Sequence, residues 1–155
     1  MKADILAIGD SVMLGAAAYL GPALGSVEVD AAVGRQAYSV VAMLAARRES
    51  GTLPPTVIIA IGNNGTFTSG QFDQIMAALA GVTRVVFVNL HVARPWEEGN
   101  NAVIDSGVAA HPNAVLVDWH SASAGQDGYF WDDGIHLRPE GAEVYASLIA
   151  AGVAR

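Results

Sequence analysis

Along the chain, short apolar runs rich in Val and Ile alternate with longer stretches whose apolar residues recur every three or four positions. The short runs predict strands at Asp4 to Ile8, Val27 to Ala31, Thr56 to Ile61, Arg84 to Asn89 and Ala114 to Asp118. The third and fourth are almost wholly apolar, as strands covered on both faces should be. A helix of small residues, Val12 to Leu20, follows the first strand. Val40, Val41, Leu44 and Ala45 form one helical stripe and Phe72, Ile75, Met76 and Leu79 another, both predicted to face the sheet. Glu97 and Glu98 suit the positive end of a further helix, and Pro139 opens a last one that turns Tyr145, Leu148 and Ile149 inward. Strand and helix alternate throughout, which predicts an α/β fold: a three-layer α/β/α sandwich around a five-stranded parallel sheet, with flavodoxin-like strand order. No repeat or linker divides residues 1–155, which read as a single domain.

Composition narrows the function. The chain has 155 residues, 52% hydrophobic and 15% charged, enough for one full-sized core. A net charge of -7, with Lys2 the single lysine, leaves no basic face for a phosphate backbone, so nucleic acid is not an expected partner. Cysteine is absent, which removes disulfides, thiolate metal sites and thiol nucleophiles together. The longest mostly apolar stretch, Val12 to Val27, is broken by Gly15, Gly21, Pro22 and Gly25, so no membrane span is predicted. Met1-Lys2 leads straight into Ala3-Asp4, which does not read as a signal peptide.

In parallel sheets of this kind ligands bind beyond the carboxyl ends of the strands. The loops there are polar: Gly9-Asp10-Ser11, Val33-Gly34-Arg35-Gln36, Gly62-Asn63-Asn64-Gly65, and the aromatic, acidic Trp119 to Leu137. Ser11 has two readings, an N-cap or a nucleophile whose oxyanion the helix N-terminus can stabilise. A nucleophilic serine needs a base, and Asp133-x-x-His136 can bring carboxylate and imidazole together on one turn, with Asp118 and His120 the rival pair. His111, before Pro112, lies at a helix end far from this rim. Gly34 and Asn64 are ordinary turn residues singly, but with the Ser11 N–H they could converge as oxyanion donors. Asp118, His120, Asp132, Asp133 and His136 offer metal-ligand types without a histidine pair at helical spacing, so no metal or cofactor is expected. The first loop matches neither dinucleotide nor P-loop fingerprints, and the elbow G-x-S-x-G is absent.

Gly-Asp-Ser after strand one, Gly after strand two, Gly-x-Asn after strand three and Asp-x-x-His before the last helix occur in the order seen in the SGNH, or GDSL-type, hydrolases, which the chain resembles over nearly its whole length. The resemblance implies Ser11 as nucleophile, His136 as general acid and base, Asp133 as its orienting carboxylate, and Ser11, Gly34 and Asn64 as the oxyanion hole. Val12 and Gly65 depart from the commonest pattern. Gly65, with Ile8 to Gly15, Val33 to Gln36, Gly65-Thr66-Phe67, Val88-Asn89, Arg94-Pro95-Trp96 and Asp133 to Leu137, is most similar to SGNH domains fused to acyltransferase-3 membrane proteins, peptidoglycan O-acetyltransferases among them. That resemblance implies acetyl transfer from an acyl donor ester to a glycan acceptor, outside the cytoplasm, beside an acyltransferase-3 membrane domain in a full-length protein. Esterase action by the same residues, or a non-catalytic glycan-binding module using Trp96, Trp119 and Trp131, are the alternatives. Asn89, Trp96 and Trp131 are the candidate walls of an acceptor groove.

Overall fold

The computed structural model describes residues 2–155. Strands β1 (Ile5–Gly9), β2 (Val27–Ala31), β3 (Thr56–Ala60), β4 (Arg84–Val88) and β5 (Ala114–Val117) pair in parallel in the order β2-β1-β3-β4-β5. Helices are α1 (Ser11–Leu24), α2 (Ala37–Glu49), α3 (Ser69–Ala78), α4 (Glu97–Ala110), α5 (Trp119–Ser123) and α6 (Pro139–Ala154), with a 3-10 turn at Asp127–Tyr129. One layer packs α1 against α6, and α2, α3 and α4 pack in sequence as the other. The three-layer sandwich with flavodoxin-like order is therefore as the hydrophobic pattern predicts.

Burial explains why the pattern was readable. All five residues of β1 are buried, as are the last four of β3 and of β4, because helices cover both faces. Phe72, Ile75 and Met76 of α3 are buried as the stripe predicts, and Phe72 stacks on Phe87 of β4 at 4.5 Å between ring centroids. On the other face Trp119 meets Tyr145 edge-on at 5.2 Å. The α2 stripe is shifted: Ala37, Val40 and Leu44 are buried while Ala45 is exposed, so the helix presents the 37–40–44 row to the core.

Other elements differ from the sequence pattern at their ends. Helix α1 continues past Gly21 and Pro22 to Leu24, where Gly25 (φ 79°) closes it by donating its N–H to the Gly21 carbonyl. Pro22 is tolerated because it sits in the last turn, and the α1 packing against α6 carries the helix through. Strands β1, β3, β4 and β5 each end one residue away from the predicted limits, and α5 occupies the start of a segment read as loop. Gly141 lies where a Cβ would come within 2.2 Å of the Tyr129 carbonyl oxygen, so its lack of a side chain sets how closely α6 approaches the 3-10 turn.

Candidate active site

The turn from β1 into α1 settles which residue caps the helix. Asp10 is the N-cap: its side chain accepts from the Val12 N–H at 3.0 Å, and Ser11 is the first helical residue. The Ser11 hydroxyl is thereby free of capping, and it lies 2.8 Å from His136 Nε2. Gly9 makes the tight turn possible, since a Cβ there would sit 2.5 Å from Met13 Cβ. Asp10 itself is fully buried, and both its oxygens accept from the Asn63 amide, at 3.1 and 2.9 Å. Burial pushes the Asp10 carboxyl up, opposed by the bonds from Asn63 and Val12 and by the His136 charge.

The histidine is oriented by its own loop. Asp133 Oδ2 lies 2.6 Å from His136 Nδ1, while Asp133 Oδ1 accepts from the backbone N–H groups of Ile135 (2.8 Å) and His136 (2.9 Å). Gly134, at φ 70°, supplies the left-handed residue that this turn requires. Partial desolvation raises the Asp133 carboxyl, but the bond from the His136 ring, the two backbone bonds and the imidazolium charge outweigh it and hold it down at about 2. Asp133 is therefore a carboxylate across the neutral range and can only accept at Oδ2. His136 Nδ1 must then be the donor, which leaves Nε2 with a lone pair facing the Ser11 hydroxyl.

A cavity of about 230 Å³ opens over this line, bounded by Ser11, Asn63, Asn64, Arg94, Trp96, Ile135 and His136. Two expected oxyanion donors border it: Ser11 at a helix N-terminus, and Asn64, whose amide reaches the Arg35 carbonyl at 3.3 Å with one of its two N–H groups. Gly34 is one residue before Arg35 on the neighbouring loop, at φ 73° and exposed, outside the residues that bound the cavity. Trp96 is at the cavity wall, its indole N–H donating to the Asn63 carbonyl at 3.2 Å. Trp131 borders a separate, adjacent cavity. Asn89 borders neither: its amide bridges β4 to β5, donating to Asp118 at 2.8 Å and accepting from the His120 N–H at 2.8 Å.

The rival pair does not form. Asp118 caps α5 by accepting from Ser121 N–H, while His120 Nδ1 bonds the Leu90 carbonyl at 2.9 Å. His111 caps the far end of α4, with Nδ1 on the Gly107 carbonyl. Among the described residues, no three acidic or histidine side chains gather as a metal site.

Several residues that position these loops had no role assigned to them from the sequence. Arg35 ties its loop to the end of β1 through the Gly9 carbonyl and pairs with Asp30 at 3.0 Å. Gln36 donates to the Asn64 carbonyl at 2.9 Å, and a Cβ on Gly65 would come within 3.1 Å of Gln36 Oε1. Asn100, buried in α4, donates to the Gly62 and Gly65 carbonyls and accepts from Phe67 N–H, so one side chain shapes the loop that presents Asn63 and Asn64.

A scan against protein-family models matched none. Among curated proteins, the chain is 35% identical over 146 residues to the peptidoglycan O-acetyltransferase OatA of Listeria monocytogenes, covering 94% of this chain and 23% of that one. It is 31% identical over 149 residues to the O-acetyltransferase OatA of Staphylococcus aureus, covering 96% and 24%. The chain thus spans about a quarter of the length of these relatives. Among solved structures, the C-terminal catalytic domain of Streptococcus pneumoniae OatA, carrying a methylsulfonyl adduct, superposes with a TM-score of 0.83 at 22% identity, covering 99% of this chain and 92% of that one. A family 3 carbohydrate esterase from Clostridium thermocellum superposes at 0.74 with 16% identity, covering 99% and 96%. The fold is that of the SGNH hydrolases.

Proposed function

This chain is a homologue of one segment of the peptidoglycan O-acetyltransferases, built on the SGNH-hydrolase fold, and from that premise we propose that it is a serine-dependent O-acetyltransferase acting on a cell-envelope glycan. The observation that carries the reading is the unbroken line Asp133–His136–Ser11, ending on a hydroxyl that capping does not use.

In this reading Ser11 Oγ attacks the acetyl carbonyl of a donor ester and its proton passes to His136 Nε2. The tetrahedral oxyanion is held by the Ser11 N–H and the Asn64 amide, with the Gly34 N–H as third donor when substrate is bound. Collapse breaks the bond to the leaving group, which takes the proton from Nε2, and leaves acetyl-Ser11. A glycan hydroxyl then gives its proton to Nε2 and attacks the acetyl carbon. The second collapse releases the O-acetylated glycan and returns the proton to Ser11. The resemblance to acyltransferase-3 fusions supports an extracytoplasmic site, supplied with acetyl groups by a membrane domain.

Hydrolysis is the second reading. The His136 and Asp133 side chains are 45% and 43% exposed, so water reaches the acyl-enzyme unless an acceptor fills the cavity. Chitooligosaccharide added to an activated acetyl ester should raise donor turnover with ping-pong kinetics and yield O-acetyl sugar by mass spectrometry. Turnover indifferent to acceptor, with acetate as the sole product, would establish an esterase instead.

Asn64→Ala should lower kcat by roughly 10²- to 10³-fold with little change in KM, since an oxyanion bond strengthens chiefly in the transition state. A loss confined to KM, in steady-state kinetics with the same ester, would make Asn64 a substrate-positioning residue.

A further inference from the structure

The segment that presents Asn64, the proposed oxyanion donor, is Gly62-Asn63-Asn64-Gly65, which begins and ends on glycines at φ 118° and 153°. Neither has room for a side chain: a Cβ on Gly62 would come within 2.9 Å of Leu90 Cδ1, and one on Gly65 within 3.1 Å of Gln36 Oε1. Backbone of this kind has little stiffness of its own, so tethers must set where Asn64 sits. All four carbonyls are tethered by side chains. Asn100 donates to Gly62 at 2.9 Å and to Gly65 at 2.8 Å, the Trp96 indole donates to Asn63 at 3.2 Å, and Gln36 donates to Asn64 at 2.9 Å.

These donors come from one side of the sheet. Gln36 is the N-cap of α2, Trp96 is the N-cap of α4 and Asn100 lies within α4, so they fix the segment to the α2–α4 layer. Ser11, in contrast, opens α1 in the other layer. An oxyanion hole needs the two in register, because the Ser11 N–H and the Asn64 amide must converge on one oxygen. The Asn63 side chain crosses that gap. Its amide nitrogen lies 3.1 and 2.9 Å from the two oxygens of Asp10, and Asp10 Oδ1 also accepts from the Val12 N–H at 3.0 Å. A carboxylate only accepts, so the nitrogen of the Asn63 amide is the end that faces it. Among the described residues, no other side-chain hydrogen bond joins residues 62–65 directly to the Asp10–Ser11 turn. The remaining route is indirect, from Asn64 to the Arg35 carbonyl at 3.3 Å and from the Arg35 guanidinium to the Gly9 carbonyl at 3.2 Å. Because Asp10 is fully buried, water does not compete for the Asn63 bridge.

We propose that Asn63 is a positioning residue: bridged to the buried Asp10 carboxylate, it holds the Asn64 amide in register with the Ser11 N–H and acts on the transition state through Asn64. The proposal rests on the serine mechanism proposed above, in the acylation step that transfer and hydrolysis share.

The test is steady-state turnover of an activated acetyl ester by Asn63→Ala, Asn64→Ala and the double variant, with melting temperatures measured alongside. Asn63→Ala should lower kcat about 10- to 100-fold with KM within about twofold of wild type, since a misplaced donor fails chiefly in the transition state. In the Asn64→Ala background the same substitution should cost less than about threefold, because the amide it positions is gone. A merely structural role would produce neither result. Asn63→Ser, whose hydroxyl stops one bond short of Asp10, should repeat the pattern and replaces the alanine variant if that chain does not fold. The double variant Asp10→Asn/Asn63→Asp rebuilds the bridge with donor and acceptor exchanged, and should turn over at least about fivefold faster than Asn63→Ala. A folded Asn63→Ala chain with wild-type kcat, equal losses with and without the Asn64 amide, or no recovery on exchange overturns the positioning role. A Ser11→Ala chain that keeps its turnover overturns instead the serine mechanism on which the proposal rests.

Discussion

Asp133→Asn should reduce turnover of an activated acetyl ester by up to about 10⁴-fold while the protein stays folded. The asparagine oxygen can still accept from Ile135 and His136 N–H, so the loop keeps two of its three bonds. What changes is the group facing His136 Nδ1. An amide N–H placed there favours the tautomer protonated on Nε2, and that nitrogen can no longer take the proton of Ser11. The pH profile separates this from a folding defect. With its carboxyl held down at about 2 from an ordinary 3.8, Asp133 stays ionised until strong acid, so its own protonation does not limit the wild-type rate near neutral pH. The stability that Asp133 contributes is complete above the ordinary carboxylate range and is lost as pH falls through about 2. The variant lacks that contribution, so it should unfold somewhat below the wild-type temperature at neutral pH, the gap closing toward pH 2, while its low rate persists at every pH. Activity within tenfold of wild type would remove Asp133 from the mechanism.

How much of this was legible follows from which forces act locally. The β3 and β4 runs and the α3 stripe announce themselves because both faces of one layer and one face of the other must be apolar. The last turn of α1 does not, because Gly21 and Pro22 argue locally for a stop while packing on α6 carries the helix on. Helix α5 is five residues long, too short for a period to show. Within the site, Ser11, Asp133 and His136 were readable from motif order, and the structure draws them into one hydrogen-bonded line. Asn63 on Asp10, Asn100 on Gly62 and Gly65, and Asn89 on Asp118 were not readable. Each acts across at least 29 residues of sequence, on partners that only the fold brings near. The same limit hid the fact that Asp10, and not Ser11, caps α1.

That division of labour makes Ser11→Ala the sharpest test of the nucleophile. Because Asp10 supplies the cap, removing the Ser11 hydroxyl should change the melting temperature little, whereas loss of an N-cap costs about 1 kcal/mol. Turnover of the acetyl ester should nevertheless fall by at least about 10⁴-fold, since no acyl-enzyme can form. A second serine–histidine contact, Ser123 with His91, provides an internal control. Ser123 is fully buried, its proton is directed to the Trp119 carbonyl, and among the described residues no carboxylate bonds His91. It has neither access to substrate nor a base behind it. A serine-directed sulfonyl fluoride should therefore modify the wild-type chain once, at Ser11 by peptide mapping, and leave Ser11→Ala unmodified. Modification mapped to Ser123, or a folded Ser11→Ala chain that keeps its turnover, would transfer the nucleophile's role away from the end of β1. Labelling confined to Ser11, with activity lost and stability kept, would separate the catalytic role of this hydroxyl from the structural role of its neighbour.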